Sequence, residues 1–246
     1  MNNKLPWTIV AGAAGYALLR HLGTRGGVTD AEGDASLPGD EIIPHPMLET
    51  NHAIGIAAPP AVVWQWLIQA GYRGAGRAGW YSDSWFDWLA EKLFFRLTVP
   101  SEHRNAQPLL HSANELLPAF QRTAVGDIVP DGPDSSPFFV VKTVQPERAW
   151  VLYSDTHLRY LSPTVLDKTP LASSGEFTWV FVLNPEGQHG TRLILRTRTR
   201  YGPPLMRYLA LPLLYLGEAI FPRLILRGIK QRAEQQVSSV HEHAAS

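Results

Sequence analysis

Tyr153, Asp155 and His157 alternate at the end of a strand-like run, a spacing that sets a phenol, a carboxyl and an imidazole on one side of a strand end. Such a set could move protons for a bound molecule, because general acid–base work needs titratable groups in a cleft. His52 lies where His52, Ile54 and Ile56 share one face and Asn51, Ala53 and Gly55 the other. Its face is apolar, which lets it point inward, and it is read as a satisfied core or surface histidine before a proton carrier. Gly74, Gly76 and Gly79 spell a formal GxGxxG (GAGRAG). A dinucleotide site needs a strand before that loop, a helix N-terminus after it and an acid about 20 residues on. Here a helix precedes it and Trp80-Tyr81 follows, so it reads as an interhelical turn or a flexible loop over a cavity mouth. Arg73 and Arg77 in that loop could meet an anionic head group. No HExxH, paired-histidine spacing or nucleophile elbow occurs, so neither metal nor cofactor is expected. The absence of cysteine excludes thiol nucleophiles, iron–sulfur sites and thiolate zinc sites.

Two further sets matter for binding. Along Thr191–Tyr201, Arg192, Ile194, Arg196, Arg198 and Arg200 share one face and Leu193, Leu195, Thr197 and Thr199 the other. The arginines are read either as a solvated convex face or, for one or two of them, as turned inward against Asp87, Asp127 or Glu176. A buried arginine without such a partner is costly. Of the 8 tryptophans, Trp64, Trp66, Trp80, Trp85 and Trp88 fall close together in the chain. Large rings clustered like that build a thick core or the wall of an apolar cavity. Phe177, Trp179, Phe181 and Leu183 share one face of another strand, directed at the C-terminal helix.

The elements that must position these residues follow from pattern. Leu5–Leu19 is an uncharged run between Lys4 and Arg20, 15 residues long. A bilayer span needs about 20, so residues 1–22 are read as a short apolar segment, a possible membrane anchor with the bulk of the protein in the cytoplasm. Residues 23–36 lack periodicity and are read as a linker, the domain as 37–240 and the remainder, 241–246, as a polar tail. Strands are expected at Glu49–Ala57, Asp127–Val129, Phe138–Gln145, Ala149–Ser154, Glu176–Leu183 and Thr191–Tyr201. Short helices are expected at Ala61–Ala70 and Ser84–Leu93, and one long helix from Leu205 to about Val240. The 22 basic and 22 acidic side chains cancel, which removes the global field that would draw the protein to nucleic acid.

Six segments in order carry a resemblance: Ile54–Gln69 (IGIAAPPAVVWQWLIQ), Gly79–Leu89 (GWYSDSWFDWL), Leu116–Pro130, Phe177–Pro185, Thr191–Arg198 and Leu226–Glu234. The chain resembles the SRPBCC, or START-like, superfamily of polyketide-cyclase-like proteins. That resemblance implies an α+β helix-grip fold, a curved antiparallel sheet wrapped around a long C-terminal helix, with two short helices after the first strand. It also implies a ligand-sized cavity, but no reaction. The expected function is binding of a hydrophobic small molecule or lipid between sheet and C-terminal helix, with Trp64, Trp80, Tyr81, Trp85, Phe177, Trp179, Arg196 and Arg198 as candidate ligand-binding residues. A cyclase- or hydrolase-like enzyme using the same cavity is the rival. Membrane contact through the N-terminal segment or the C-terminal helix is the third reading.

Overall fold

The computed structural model describes residues 4–82, 111–132, 137–157, 174–202 and 204–245. The expected helix Ser84–Leu93, with Trp85, Asp87 and Trp88, lies outside the described residues. The elements run α1 (Lys4–Thr24), β1 (Arg25–Gly26), α2 (Asp30–Asp34), β2 (Leu48–Ile56), α3 (Pro60–Ile68), β3 (Ile128–Pro130), β4 (Phe138–Gln145), β5 (Ala149–Ser154), β6 (Ser174–Glu186), β7 (Gly190–Gly202) and α4 (Pro204–Ala245). The strands make one sheet in the order β1-β2-β7-β6-β5-β4-β3, antiparallel except for the β1–β2 pair. With α4 on its concave face, this is the helix-grip arrangement that the resemblance implied.

Alternation explains the core. Leu152, Phe181, Leu183, Leu193 and Leu195 point to the concave face, where they pack with α3 residues Val63, Trp64 and Leu67 and with Ile225, Leu226 and Ile229 of α4. Pro59 and Pro60 stop β2 and start α3. Arg77 ends α3 by donating to the carbonyls of Ala70 (2.7 Å) and Ile68 (2.6 Å). It is therefore a helix cap and not the expected contact for an anion. The GAGRAG loop is a tight turn in which Gly76 and Gly79 take positive φ (83° and 85°), with no strand leading into a helix N-terminus. α4 runs unbroken through Pro212 and Pro222, and its backbone stays helical through 241–245, where a polar tail was expected.

One close approach fixes α4 against the Trp80–Tyr81 corner. A Cβ on Gly228 would stand 2.1 Å from the Tyr81 carbonyl oxygen. Gly228→Ala is therefore expected to destabilise the fold by about 1–3 kcal/mol, since a methyl there must push backbone aside. Urea unfolding measures it, and an unchanged midpoint would mean that the helix does not seat as described.

The linker reading of 23–36 is corrected. That segment is a strap folded across the convex face. Thr29 and Glu32 form a capping box on α2, with the Thr29 hydroxyl accepting from the Glu32 N–H at 3.2 Å and Glu32 Oε2 accepting from the Thr29 N–H at 2.7 Å. Further along, Leu37 and Ile42 pack on Val151, Val180, Val182 and Ile194, a second small core. The segment shows no periodicity because its contacts run through caps, carbonyls and ion pairs.

At the N-terminus, α1 packs against α4 through an edge-on contact of Tyr16 with Tyr215, ring centroids 5.9 Å apart. Arg223 of α4 donates to the last carbonyls of that stretch, at Leu22 (2.8 Å) and Arg25 (3.4 Å). No helix among the described residues is long and apolar enough to cross a membrane, so the structure gives the expected anchor no support.

Candidate functional site

The register turns the concave face into cross-strand rows. One row reads Thr50, Thr197, Trp179, Leu152 and Val141 across β2, β7, β6, β5 and β4. The next row, toward the start of β2, reads Leu48, Thr199, Phe177 and Ser154. On the other side lies His52, Leu195, Phe181 and Trp150. Thus the face is apolar in the middle and becomes polar and aromatic toward one end. Thr50, Thr197 and Thr199 are buried there, under the N-terminal half of α4.

Glu218 reaches down from α4 onto that end. The Thr50 hydroxyl donates to Glu218 Oε2 at 2.6 Å. The residue as a whole is half-buried, but its carboxyl sits under the sheet, and burial pushes its pKa up to about 7. The Thr50 hydroxyl, and that of Thr197 beside it, favour the ionised form and oppose this rise. The Thr197 oxygen stands outside hydrogen-bond geometry, and Thr197 Oγ1 and Trp179 Nε1 are both buried with no hydrogen-bond partner among the described residues. No basic side chain among the described residues acts on Glu218.

An aromatic floor adjoins these groups. Trp179 lies 5.0 Å from Trp80 and 5.0 Å from Phe139, and Phe139 lies 5.3 Å from Phe177, all between ring centroids. Trp80 and Trp179 are only half-buried, so each keeps some exposed surface. His157 closes the far edge, 4.5 Å from Phe139 and 4.9 Å from Phe177.

His157 is part of a Ser154–His157–Asp131 chain. Its Nε2 lies 2.8 Å from Asp131 Oδ2, and its Nδ1 lies 2.6 Å from Ser154 Oγ. A carboxylate can only accept, so Nε2 carries the proton and, in the neutral ring, Nδ1 accepts from Ser154. The order is that of a nucleophilic triad, but the serine is already committed. Ser154 is buried, and its Oγ also accepts the Thr156 N–H at 3.1 Å. Asp131 additionally accepts from Trp80 Nε1. The chain is a clamp that fixes Trp80 and His157 as walls.

The other expected site residues divide as follows. Trp80, Phe177 and Trp179 meet in the aromatic floor, whereas Trp85 lies outside the described residues. Trp64 is packed in the core of α3. Tyr81, at positive φ (62°), donates its hydroxyl to the Trp66 carbonyl at 2.7 Å and accepts from Gln69 Nε2 at 3.0 Å. It meets α4 at Gly228, ten residues or about 15 Å along the helix from Glu218, so it belongs to the α3–α4 junction.

The reading of Arg196 and Arg198 as ligand contacts is corrected. Both lie on the convex face and are held by the strap. Arg196, 1% exposed, donates to Asn51 Oδ1 (2.7 Å), Asp40 Oδ2 (2.7 Å) and the carbonyls of Ala35 (2.8 Å), Gly33 (2.8 Å) and Glu32 (3.3 Å). Arg198 pairs with Glu49 at 2.8 Å and Asp40 at 3.2 Å, and Arg192 with Glu32 at 2.7 Å. Of the acids expected to partner these arginines, Glu176 does so, with the exposed Arg200, Asp127 shows no such pair among the described residues, and Asp87 lies outside them.

The set Tyr153, Asp155 and His157 is likewise divided, because β5 ends at Ser154 and the following turn swings His157 inward. Tyr153 and Asp155 line a shallow outer depression of about 330 Å³ with Glu176 and Arg200. Burial, followed by the nearby Glu176 carboxylate, raises the Tyr153 phenol to about 12. His52 is fully buried, its Nε2 3.2 Å from the Gly23 carbonyl, and burial and then Arg223 lower it to about 4. It is a neutral core histidine.

The residues that pattern reading missed are Glu218, Thr50 and Asp131. Glu218 was legible as a charge within an apolar helical stretch, which needs either a partner or a purpose.

No family model matches the chain, and no curated protein matches it. Solved structures do. A norcoclaurine synthase point mutant of Thalictrum flavum, bound to a transition-state analogue, is 13% identical over 76% of this chain and 94% of its own, with a TM-score of 0.40. A polyketide-cyclase-like protein of Corynebacterium glutamicum is 12% identical over 78% and 95%, with a TM-score of 0.39. A protein of Mesorhizobium loti is 15% identical over 75% and 97%, with a TM-score of 0.38. At this level the likenesses bear on neither activity nor ligand.

Proposed function

We propose that the protein binds a hydrophobic small molecule at the aromatic end of the concave face, beneath the N-terminal half of α4. The observation that carries this reading is the Trp80–Phe139–Trp179–Phe177 floor, whose two tryptophans are only half-buried, beside buried polar atoms with no hydrogen-bond partner among the described residues. Apolar rings exposed beside unmet polar groups are the make-up of a ligand site, with burial of apolar area as the driving force, about 25 cal/mol per Å² before ordering costs. The Asp131 clamp supports the same reading, since it fixes two of the walls before anything binds, and preorganised walls reduce the ordering cost of binding.

The test is a titration of the full chain with the neutral dye N-phenyl-1-naphthylamine, followed by its fluorescence. Saturable binding is expected, with Trp179→Ala about tenfold weaker because most of one wall is lost. Circular dichroism shows whether that variant folds. A wild-type chain that leaves the dye unbound, or a folded Trp179→Ala with unchanged affinity, would sink the proposal. Mass spectrometry of protein purified without detergent is expected to find an apolar molecule carried along.

A further inference from the structure

We propose that Glu218 acts there as a protonated carboxyl that donates a hydrogen bond to an acceptor oxygen of the bound molecule, so that the ligand class is neutral and apolar with a carbonyl or ether oxygen. The inference rests on the reading above and narrows it.

Three observations select that class. First, among the described residues the groups acting on the Glu218 carboxyl are hydroxyls: Thr50 donates to it, and Thr197 stands beside it. Second, Trp179 is in the same cross-strand row, two strands from Thr50 or about 10 Å, and its buried indole N–H has no acceptor among the described residues. That spacing suits a small ring system lying on Trp179 and Phe177 with an oxygen toward α4. Third, an indole nitrogen can only donate. An ammonium ligand offers no acceptor and would leave it unmet, whereas an anionic ligand would bury its charge where no basic side chain among the described residues acts on Glu218 to pair it. A neutral oxygen acceptor suits the protonated Glu218 carboxyl without adding a charge to the site.

The charged surroundings do not compete for this role. On β2, His52 lies one row away and stays neutral above about pH 4. On β7, Arg196 and Arg198 are on the opposite face, bound to Asp40 and Glu49. On α1, Tyr16 and Arg20 act on Tyr215. On α4 itself, Arg223 is turned to the Leu22 carbonyl. Burial holds the proton on Glu218 up to about pH 7, so binding of such a ligand should weaken above neutrality.

The experiment is a tryptophan-fluorescence titration of the full chain with 2-acetylnaphthalene, 2-ethylnaphthalene and 2-(2-aminoethyl)naphthalene at pH 6 and pH 8.5. At pH 6 the ketone is expected to bind about tenfold tighter than the hydrocarbon, the worth of one good hydrogen bond. At pH 8.5 that preference should fall below about threefold, since the ionised carboxyl no longer donates. Glu218→Gln keeps a donor and should hold the preference at both pH values. Thr50→Val removes a donor that favours the ionised form and should move the midpoint of the loss to higher pH, which a merely structural role would not do. Equal binding of ketone and hydrocarbon would overturn the inference while leaving the hydrophobic-ligand reading in place. Tightest binding of the amine, growing with pH, would also overturn it. If none of the three binds, the reading beneath it falls as well.

Discussion

Asp40→Ala is expected to cost the fold about 3–5 kcal/mol, because it strips the ionic partner from a guanidinium that is 1% exposed. Arg196 uses all of its five N–H groups: one on Asn51, one on Asp40 and three on the carbonyls at the end of α2. The carbonyl partners satisfy geometry but do not neutralise charge. Glu49, 3.8 Å from Nε, is already paired with Arg198. Asp40 also accepts the Leu37 N–H at 2.9 Å, so its loss loosens the strap at the point where Leu37 enters the convex core. Asp40→Asn keeps acceptor oxygen and shape and should cost less. Urea unfolding gives the loss, and amide exchange should rise across residues 29–43 before it rises in β6 or β7. A loss below about 1 kcal/mol would mean that the strap is not what holds the arginine ladder.

The second large effect is a pH dependence, visible only when one of two opposed groups is removed. His52 is held at about 4 when folded against an ordinary value of 6.5. The unfolded chain binds the extra proton, so stability is lost as pH falls from about 6.5 to 4, by about 3 kcal/mol in all. Glu218 is held at about 7 against an ordinary 4.5. There the folded chain binds the extra proton, so stability is lost as pH rises from about 4.5 to 7, again by about 3 kcal/mol. Between about pH 4.5 and 6.5 the two slopes oppose each other, and their joint contribution to stability is nearly flat. Glu218→Gln should expose the histidine's rising slope and, at pH 8, be about 3 kcal/mol more stable than the wild type. His52→Gln, which keeps a donor for the Gly23 carbonyl, should expose the falling slope. Urea unfolding at pH 5, 6.5 and 8 checks both, and a Glu218→Gln chain no more stable than the wild type at pH 8 would contradict the burial of that carboxyl.

How far the sequence could be read depended on the range of the interaction. β4 and β5 begin and end where alternation and turn residues put them, and β6 and β7 run only slightly further. These are local signals, repeated every second residue. The same alternation separated Arg196 and Arg198 from Thr197 and Thr199, but it carries no mark of which face is covered. That depended on Asp40, more than 150 residues away in sequence. Within the strap, the capping box Thr29–Glu32 was a legible local signature, whereas the carbonyl contacts around it have no sequence pattern. The site behaves likewise. Trp80, Phe177 and Trp179 announce themselves as large rings. Glu218 is one charge in an apolar helix, and its partner Thr50 is 168 residues away. His157 broke a local rule, because the alternation of Tyr153, Asp155 and His157 carries past the end of β5 at Ser154, and the turn there aims His157 at the aromatic rings instead.

The strap also dictates when the protein can fold. Asn51, Asp40 and the carbonyls of α2 find their common partner only at Arg196, and β2 finds its antiparallel neighbour only in β7. During synthesis these early segments must wait for some 145 further residues, on the order of 10 s at usual elongation rates. Throughout that interval the edge of β2 and the acids of the strap stand without their partners. The acids keep such a waiting segment in solution, and the chain closes on itself only once its last strands have been made.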